Sequence, residues 1–518
     1  MTPPAMAALT QPALTQPALA AQAQSVDWLA ITPPTLTAVL ALAVLVTDLF
    51  LPERRKPLLG VITLAGLAAA LLTLLPLIGE DRATFCVAEE AGGACSYTAD
   101  GFTLVVQLLV LGGALLTAVL SQATVRDDRL PAGEYWFLLL ASAAGAALLP
   151  ASRDLATLVI ALEVASLPAF ALVGLRRGER RSSEAALKFF LSSVAATAVT
   201  LLGVSFVYAV TGTLHLTEIA DRLPGADPGL HTLAQAGVAL TLVGFAFKTA
   251  AAPFHFWVPD TYTGAPVPVA GYLSVVGKAV GLTGIALVTV LAFPSYGEVW
   301  GPLLAVLAAV TMTAGNTAAL RQRPGRRHSA VRLLAWSSVG QAGYLLVPLA
   351  AAAYTGAPDA AVGATLAYAL MYAAVNLGAF AVVALVARTR PAGRLTDHRA
   401  LYATHPAHAL ALGFFLLCLA GLPPGVVGLF AKVAVFSAAV DAGLGWLAVV
   451  MALNVVVGLV YYLRWTALLF RPAADGATAL PRAVPRPLTA AVALAAVIGV
   501  ALSGAPQLIL RFTDTGLF

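Results

Sequence analysis

Fourteen apolar runs take up most of this 518-residue chain, and many approach the roughly 20 residues that a helix needs to cross a bilayer. Inside hydrocarbon, each backbone N–H and C=O must find its partner within the protein, and a helix meets that demand by itself. The expected fold class is an all-α polytopic membrane protein. Composition agrees: 60% of residues are hydrophobic and 11% charged, where a soluble protein would be about a quarter charged. The spans are expected at 30–50, 57–79, 102–121, 134–151, 154–175, 184–210, 231–262, 267–292, 299–320, 329–353, 359–387, 405–440, 444–470 and 485–510. Before them, residues 1–27 form an Ala/Pro/Gln segment without a basic leader, expected to be a disordered tail.

The net charge of +5 comes from arginines in short loops. "ERRK" follows span one, "RDDR" span three, "RRGERR" span five, "RQRPGRRHSAVR" span nine, "ARTRPAGRLTDHRA" span eleven and "PRAVPR" span thirteen. Loops after even-numbered spans are nearly free of basic residues. This is the positive-inside pattern rather than a nucleic-acid-binding surface, and it places both termini on the outer face. Cys86 and Cys95 then fall in an outward loop, where a disulfide can form; two free thiols are the alternative. Cys418 lies within a span, as packing. No phosphate-binding loop, metal-ligand spacing or nucleophile elbow occurs.

Only five lysines accompany twenty-five arginines. Lys56 lies in an arginine-rich loop, whereas Lys188, Lys248, Lys278 and Lys432 lie within apolar spans. Arginine effectively never gives up its proton, while a buried lysine can. A charge at the bilayer centre costs about 2.5–3.5 kcal/mol on the insertion scale, so Glu163, Lys248, Lys278 and Lys432 are functional candidates. By helical rise, Glu163 lies about 14 Å into span five and Lys278 about 17 Å into span eight. Lys248 and Lys432 stand beside helix breaks well inside their spans. These four share one depth and are expected to pass protons laterally through bound water. Lys188 is about one turn into span six, where snorkelling to the interface is the alternative.

Span seven would run about 48 Å if continuous, longer than the hydrocarbon core, and Pro253 is expected to break it near 249–253. Pro423-Pro424-Gly425 interrupts span twelve likewise. Broken helices are typical of ion-handling transporters with inverted repeats. Spans seven and twelve are five apart and cross in opposite directions. The expected organisation is therefore helices one to three over 28–133, a five-helix repeat over 134–292, its inverted counterpart over 299–470, and helix fourteen over 485–518.

These residues resemble the antiporter-like subunits of proton-pumping NADH–quinone oxidoreductase, complex I, most nearly its subunit N. The similar stretches include "EAALKFFLSSVAATAVTLLGVSFVYAVTGTLHLTEIA", "GFAFKTAAAPFHFWVPDTYTGAPVPVAGYLSVVGKAVG", "RLLAWSSVGQAGYLLVPLA", "AGLPPGVVGLFAKVAVF" and "NVVVGLVYYLRW", across spans five to thirteen. The resemblance implies that Glu163 pairs with and modulates Lys248, that Lys278 relays, and that Lys432 ends the row. It also implies partners among the other membrane subunits of complex I and the lipid bilayer, a bacterial plasma-membrane location, and no bound cofactor or metal. Gln341 stands where many of that family carry histidine; it can order water but cannot titrate. His255 is a relay candidate or an interfacial residue, and Tyr344 and Ser338 hold water or pack helices. Two other readings share the core: a subunit of a multi-subunit sodium/proton antiporter, and a structural module whose charges merely pair.

Overall fold

The computed structural model describes residues 26–87, 93–473, 483–513 and 516–518. Thirteen helical segments among them are long and apolar enough to span a bilayer. The fourteenth crossing is the interrupted one, Pro406–Ala420 followed by Val426–Asp441. Most of the expected tail lies outside the described residues. Its last residue is ordered: the Asp27 carboxylate accepts from the backbone N–H groups of Leu29 and Ala30 and so caps the first helix, Trp28–Phe50.

Burial sorts the spans into centre and rim. Span ten, Ser329–Tyr354, and span eleven, Pro358–Ala387, are each 94% buried over their most apolar stretch, against 33% for span two, Glu53–Leu77. The first two form the central wall, and the third presents its side chains to lipid or to a neighbour. Packing repeats along the chain. Span four, Ala132–Ala151, lies on span five, Leu155–Val173, as span nine, Pro294–Leu320, lies on span ten. Likewise span six, Arg180–Thr211, lies on the first half of span seven, Pro228–Gly264, as span eleven lies on both halves of span twelve.

Both expected breaks are present. The helix His231–Thr249 ends at Ala250, whose φ of 68° is left-handed, and the chain resumes as a short 3-10 turn and the helix Val258–Gly264. The helix Pro406–Ala420 ends at Gly421, φ 81°, before the two prolines. Span eight, Val267–Ala292, carries π-helical turns at Leu273–Gly277 and Val288–Ala292 on either side of Lys278–Leu287.

One element departs from the helical pattern: an antiparallel hairpin, β1 (Arg82–Cys86) with β2 (Cys95–Ala99), in the loop after span two. Cys86 and Cys95 face each other in its register and form a disulfide. Beside it, Asp100 caps span three, Gly101–Asp127, and forms a buried ion pair with Arg153. The Arg153 guanidinium also donates to the Pro150 and Ser152 carbonyls at 2.8 and 3.1 Å. This pair explains a basic residue on the otherwise arginine-poor face. On the opposite face a cavity of about 1330 Å³ is rimmed by Arg126, Arg129, Arg181 and Arg327. His328 lies on the same rim, where burial and then Arg181 and Arg327 push its pKa down to about 4. The positive charge of that rim at neutral pH therefore comes from the arginines and Lys56 rather than from His328.

Replacing Arg153 with methionine would leave the Asp100 carboxylate buried without its counter-ion. The expected cost is about 3–5 kcal/mol, read as a lowered thermal midpoint of the detergent-solubilised protein.

Candidate functional site

A broken helix frees backbone groups that lipid cannot satisfy, and the lysines answer part of that demand. At the first break, the Thr249 carbonyl accepts from Lys278 Nζ at 3.0 Å. The Phe247 carbonyl accepts from the Trp257 indole at 3.2 Å, and the Ala252 N–H donates to Thr311 Oγ1 of span nine at 2.8 Å. At the second break, Lys432 Nζ donates to the Leu419 and Ala420 carbonyls at 2.9 and 2.7 Å. Both amines thus dock at the carboxyl end of a half-helix, where the dipole favours a cation. Glycine makes room for the docking. A Cβ on Gly281 would lie 2.4 Å from the Thr249 backbone nitrogen, and one on Gly421 would lie 3.0 Å from Lys432 Cδ.

Lys248, Lys278 and Lys432 are 5%, 2% and 5% exposed, and among the described residues none makes an ion pair. Neutral carbonyls hold Lys278 and Lys432 instead. An amine that has lost its proton still carries two N–H groups, enough for the two bonds Lys432 makes, so the geometry does not fix the charge state.

Lys248 is held differently. Its Nζ donates to Ser193 Oγ at 2.8 Å and lies over the rings of Phe170, Phe189 and Phe247 at 4.8, 5.2 and 5.6 Å. Glu163 does not reach it. The Glu163 carboxylate accepts from Thr197 Oγ1 at 2.7 Å, so the pair implied by the family resemblance is bridged by two hydroxyls of span six.

A polar chain fills the space between Lys278 and Lys432. Ser274, one turn before Lys278, accepts from Asn376 at 2.6 Å. Tyr372, one turn from Asn376, donates to Ser338 at 2.8 Å. Next to it, Ser337 meets the Tyr462 hydroxyl at 2.5 Å. Gln341 joins the far end: its Nε2 donates to Tyr462 at 3.0 Å and to the Leu419 carbonyl at 3.4 Å, and its Oε1 accepts from Tyr368 at 2.5 Å. Leu419 is also where Lys432 docks. Gln341 is therefore a fixed joint of the chain rather than a gap in it. The Tyr344 ring lies 5.5 Å from Lys432 Nζ, and its hydroxyl accepts from Asn316 at 3.4 Å.

Two candidates stand apart from this row. Lys188 pairs with Glu184 at 2.7 Å and Asp260 at 3.0 Å and is about half exposed, as an interfacial lysine would be. His255 follows the break, with its ring 5.5 Å from that of Trp336. Among the described residues its buried Nδ1 has no hydrogen-bond partner. Ser193, Thr197, Ser274, Tyr368, Tyr372, Asn376 and Tyr462 were not foreseen. The signal was nonetheless present in helical spacing: Tyr368, Tyr372 and Asn376 recur every fourth residue, and Ser193 and Thr197 are one turn apart.

Among the described residues, fourteen crossings, two of them broken, around buried amines define an antiporter-like membrane subunit. Residues 152–458 match the family described as NADH:quinone oxidoreductase/Mrp antiporter, TM. NADH-quinone oxidoreductase subunit N 2 of Streptomyces griseus is 72% identical over 508 residues, covering 96% of this chain and 94% of that protein. Subunit N of Salinispora tropica is 43% identical over 524 residues, covering 94% and 98%. A chain of respiratory complex I from Thermus thermophilus superposes with a TM-score of 0.74 at 33% identity, covering 93% of this chain and 100% of that one. The Mrp complex of a Dietzia species gives a TM-score of 0.76 at 21% identity, covering 93% and 96%, a likeness of fold alone. The chain belongs to the NADH-quinone oxidoreductase subunit N family.

Gln341→Leu should destabilise the solubilised protein by about 1–3 kcal/mol, because it orphans the buried Tyr368 hydroxyl. The double variant Gln341→Leu/Tyr368→Phe, which removes both partners, should cost less than the sum of the two single changes. Thermal midpoints of the three variants check this.

Proposed function

We propose that this chain moves protons through the membrane arm of a NADH–quinone oxidoreductase along Glu163, Lys248, Lys278 and Lys432, driven by quinone reduction elsewhere in the complex. The observation that carries the reading is the set of three buried amines that make no ion pair among the described residues, two of them docked on the carbonyls of broken helices. Such an amine can be emptied and refilled without losing its seat.

In the working cycle, a change at the quinone end alters the separation of Glu163 and Lys248. Drawing the carboxylate closer favours charge on Lys248; moving it away favours release toward Lys278. The chain from Ser274 to Gln341 then orders water between Lys278 and Lys432, the last site before release. Moving one charge against 100 mV needs about 2.3 kcal/mol. The loss or gain of one charge-assisted hydrogen bond, about 1.5–3 kcal/mol, is of that size. Residues 134–292 and 299–470 act as inverted repeats, a division supported by the matching helix pairs and by the two breaks. The polypeptide itself carries no redox centre, and its partners are the other membrane subunits of the complex.

The membrane is the bacterial plasma membrane. The arginine-rich loops face the cytoplasm, while the disulfide hairpin and both termini face outward. A sodium/proton antiporter role is not favoured, because the likeness to the Mrp complex is limited to fold.

Lys248→Met tests the reading. In membranes where the complex assembles with its hydrophilic redox chains, proton pumping per NADH oxidised should fall at least tenfold. Pumping at the unaltered level would refute the relay.

A further inference from the structure

We infer that Ser193 and Thr197 are positioning residues that hold Glu163 and Lys248 apart, and that this hydroxyl-held arrangement is one of two states between which the pair alternates. The inference rests on the reading that Glu163 and Lys248 carry the proton.

Helical serine and threonine in an apolar span ordinarily turn the hydroxyl back to the carbonyl one turn earlier, since no water is available. Span six shows this default three times. Ser192 donates to the Lys188 carbonyl at 2.6 Å, Ser205 to Leu201 at 2.8 Å and Thr211 to Val207 at 2.8 Å. Ser193 and Thr197 depart from it. Thr197 gives its hydrogen to the Glu163 carboxylate, and Ser193 offers its oxygen to the Lys248 amine. Both are buried, 8% and 1% exposed, and one turn apart on one helix face. Ser193 keeps its own hydrogen uncommitted among the described residues, which leaves it free to reorient when the charge beside it changes.

An acid and an amine of opposite charge in a low-dielectric setting attract strongly and would collapse into an ion pair unless other partners compensate each of them. Thr197 compensates the carboxylate. Ser193 and the three aromatic faces compensate the amine. Removing either hydroxyl takes one charge-assisted bond from the open state and none from a closed pair. The balance shifts toward closure, and Lys248 is held charged.

The test uses the assembled complex in sealed membranes with Thr197→Val, which keeps the side chain's shape and deletes the hydroxyl, and Thr197→Ser, which restores it. Pumping per NADH oxidised should fall about tenfold in Thr197→Val and return in Thr197→Ser. The pH at which pumping is half-maximal should move upward in Thr197→Val, since a more tightly paired amine releases its proton only at higher pH. The infrared carboxyl band that disappears in Glu163→Gln should shift in Thr197→Val and not in Thr197→Ser. Unaltered pumping, pH profile and band in Thr197→Val would overturn the inference, as would equal failure of Thr197→Ser, which would make the position one of packing. Glu163→Gln and Lys248→Met, measured in parallel, separate the two levels. If they pump normally, the relay itself is wrong; if they fail while Thr197→Val pumps normally, only the hydroxyl role is wrong.

Discussion

The carbonyl groups freed by two broken helices are the constraint on which the rest of this structure depends. Lipid offers them no partner, and an unsatisfied carbonyl in hydrocarbon costs several kcal/mol. The chain meets that cost with amines: Lys278 at Thr249, Lys432 at Leu419 and Ala420. Each side of this arrangement stabilises the other. The break gives the amine an acceptor that does not depend on its charge, and the amine gives the break its missing donors. A carboxylate in the same place would have tied the lysine to one protonation state.

The space between the two docking points is not hydrophobic packing. Serines, tyrosines and carboxamides from spans eight, ten, eleven and thirteen converge there, all buried. Networks of this kind are costly when half satisfied and rigid when complete. Among the described residues the Asn376 Oδ1 has no hydrogen-bond partner, and ordered water there would complete the network. Three of the four supplying spans, eight, ten and eleven, are the most buried of all, and Tyr462, from the more exposed span thirteen, is itself 1% exposed, so these groups are shielded from lipid.

Much of this was legible in the sequence. Apolar length and loop charge set the number of spans, and overlong spans with internal proline located both breaks. The scarcity of lysine singled out Lys248, Lys278 and Lys432 from a surface written in arginine. The hairpin at Arg82–Cys86 and Cys95–Ala99 escaped notice because ten residues of short strand leave little pattern beside fourteen long apolar runs. The partners of the amines escaped for a different reason. Serine, threonine and tyrosine are common in membrane helices, and only the packing of span six against spans five and seven shows which hydroxyls face a charge. The Glu163–Lys248 separation likewise depends on a third helix, which no reading of the two residues alone could supply.

The central claim is that these amines are retained because they can lose a proton, not because a positive charge is needed. Arginine at position 432 keeps the charge and the donors but cannot be emptied at physiological pH. The direct measurement is proton pumping by sealed vesicles containing the assembled complex with Lys432→Arg, alongside its rate of NADH oxidation. The account predicts that pumping per NADH is lost although the charge remains. Pumping at the level of the unaltered complex would contradict it and reduce the amines to structural donors.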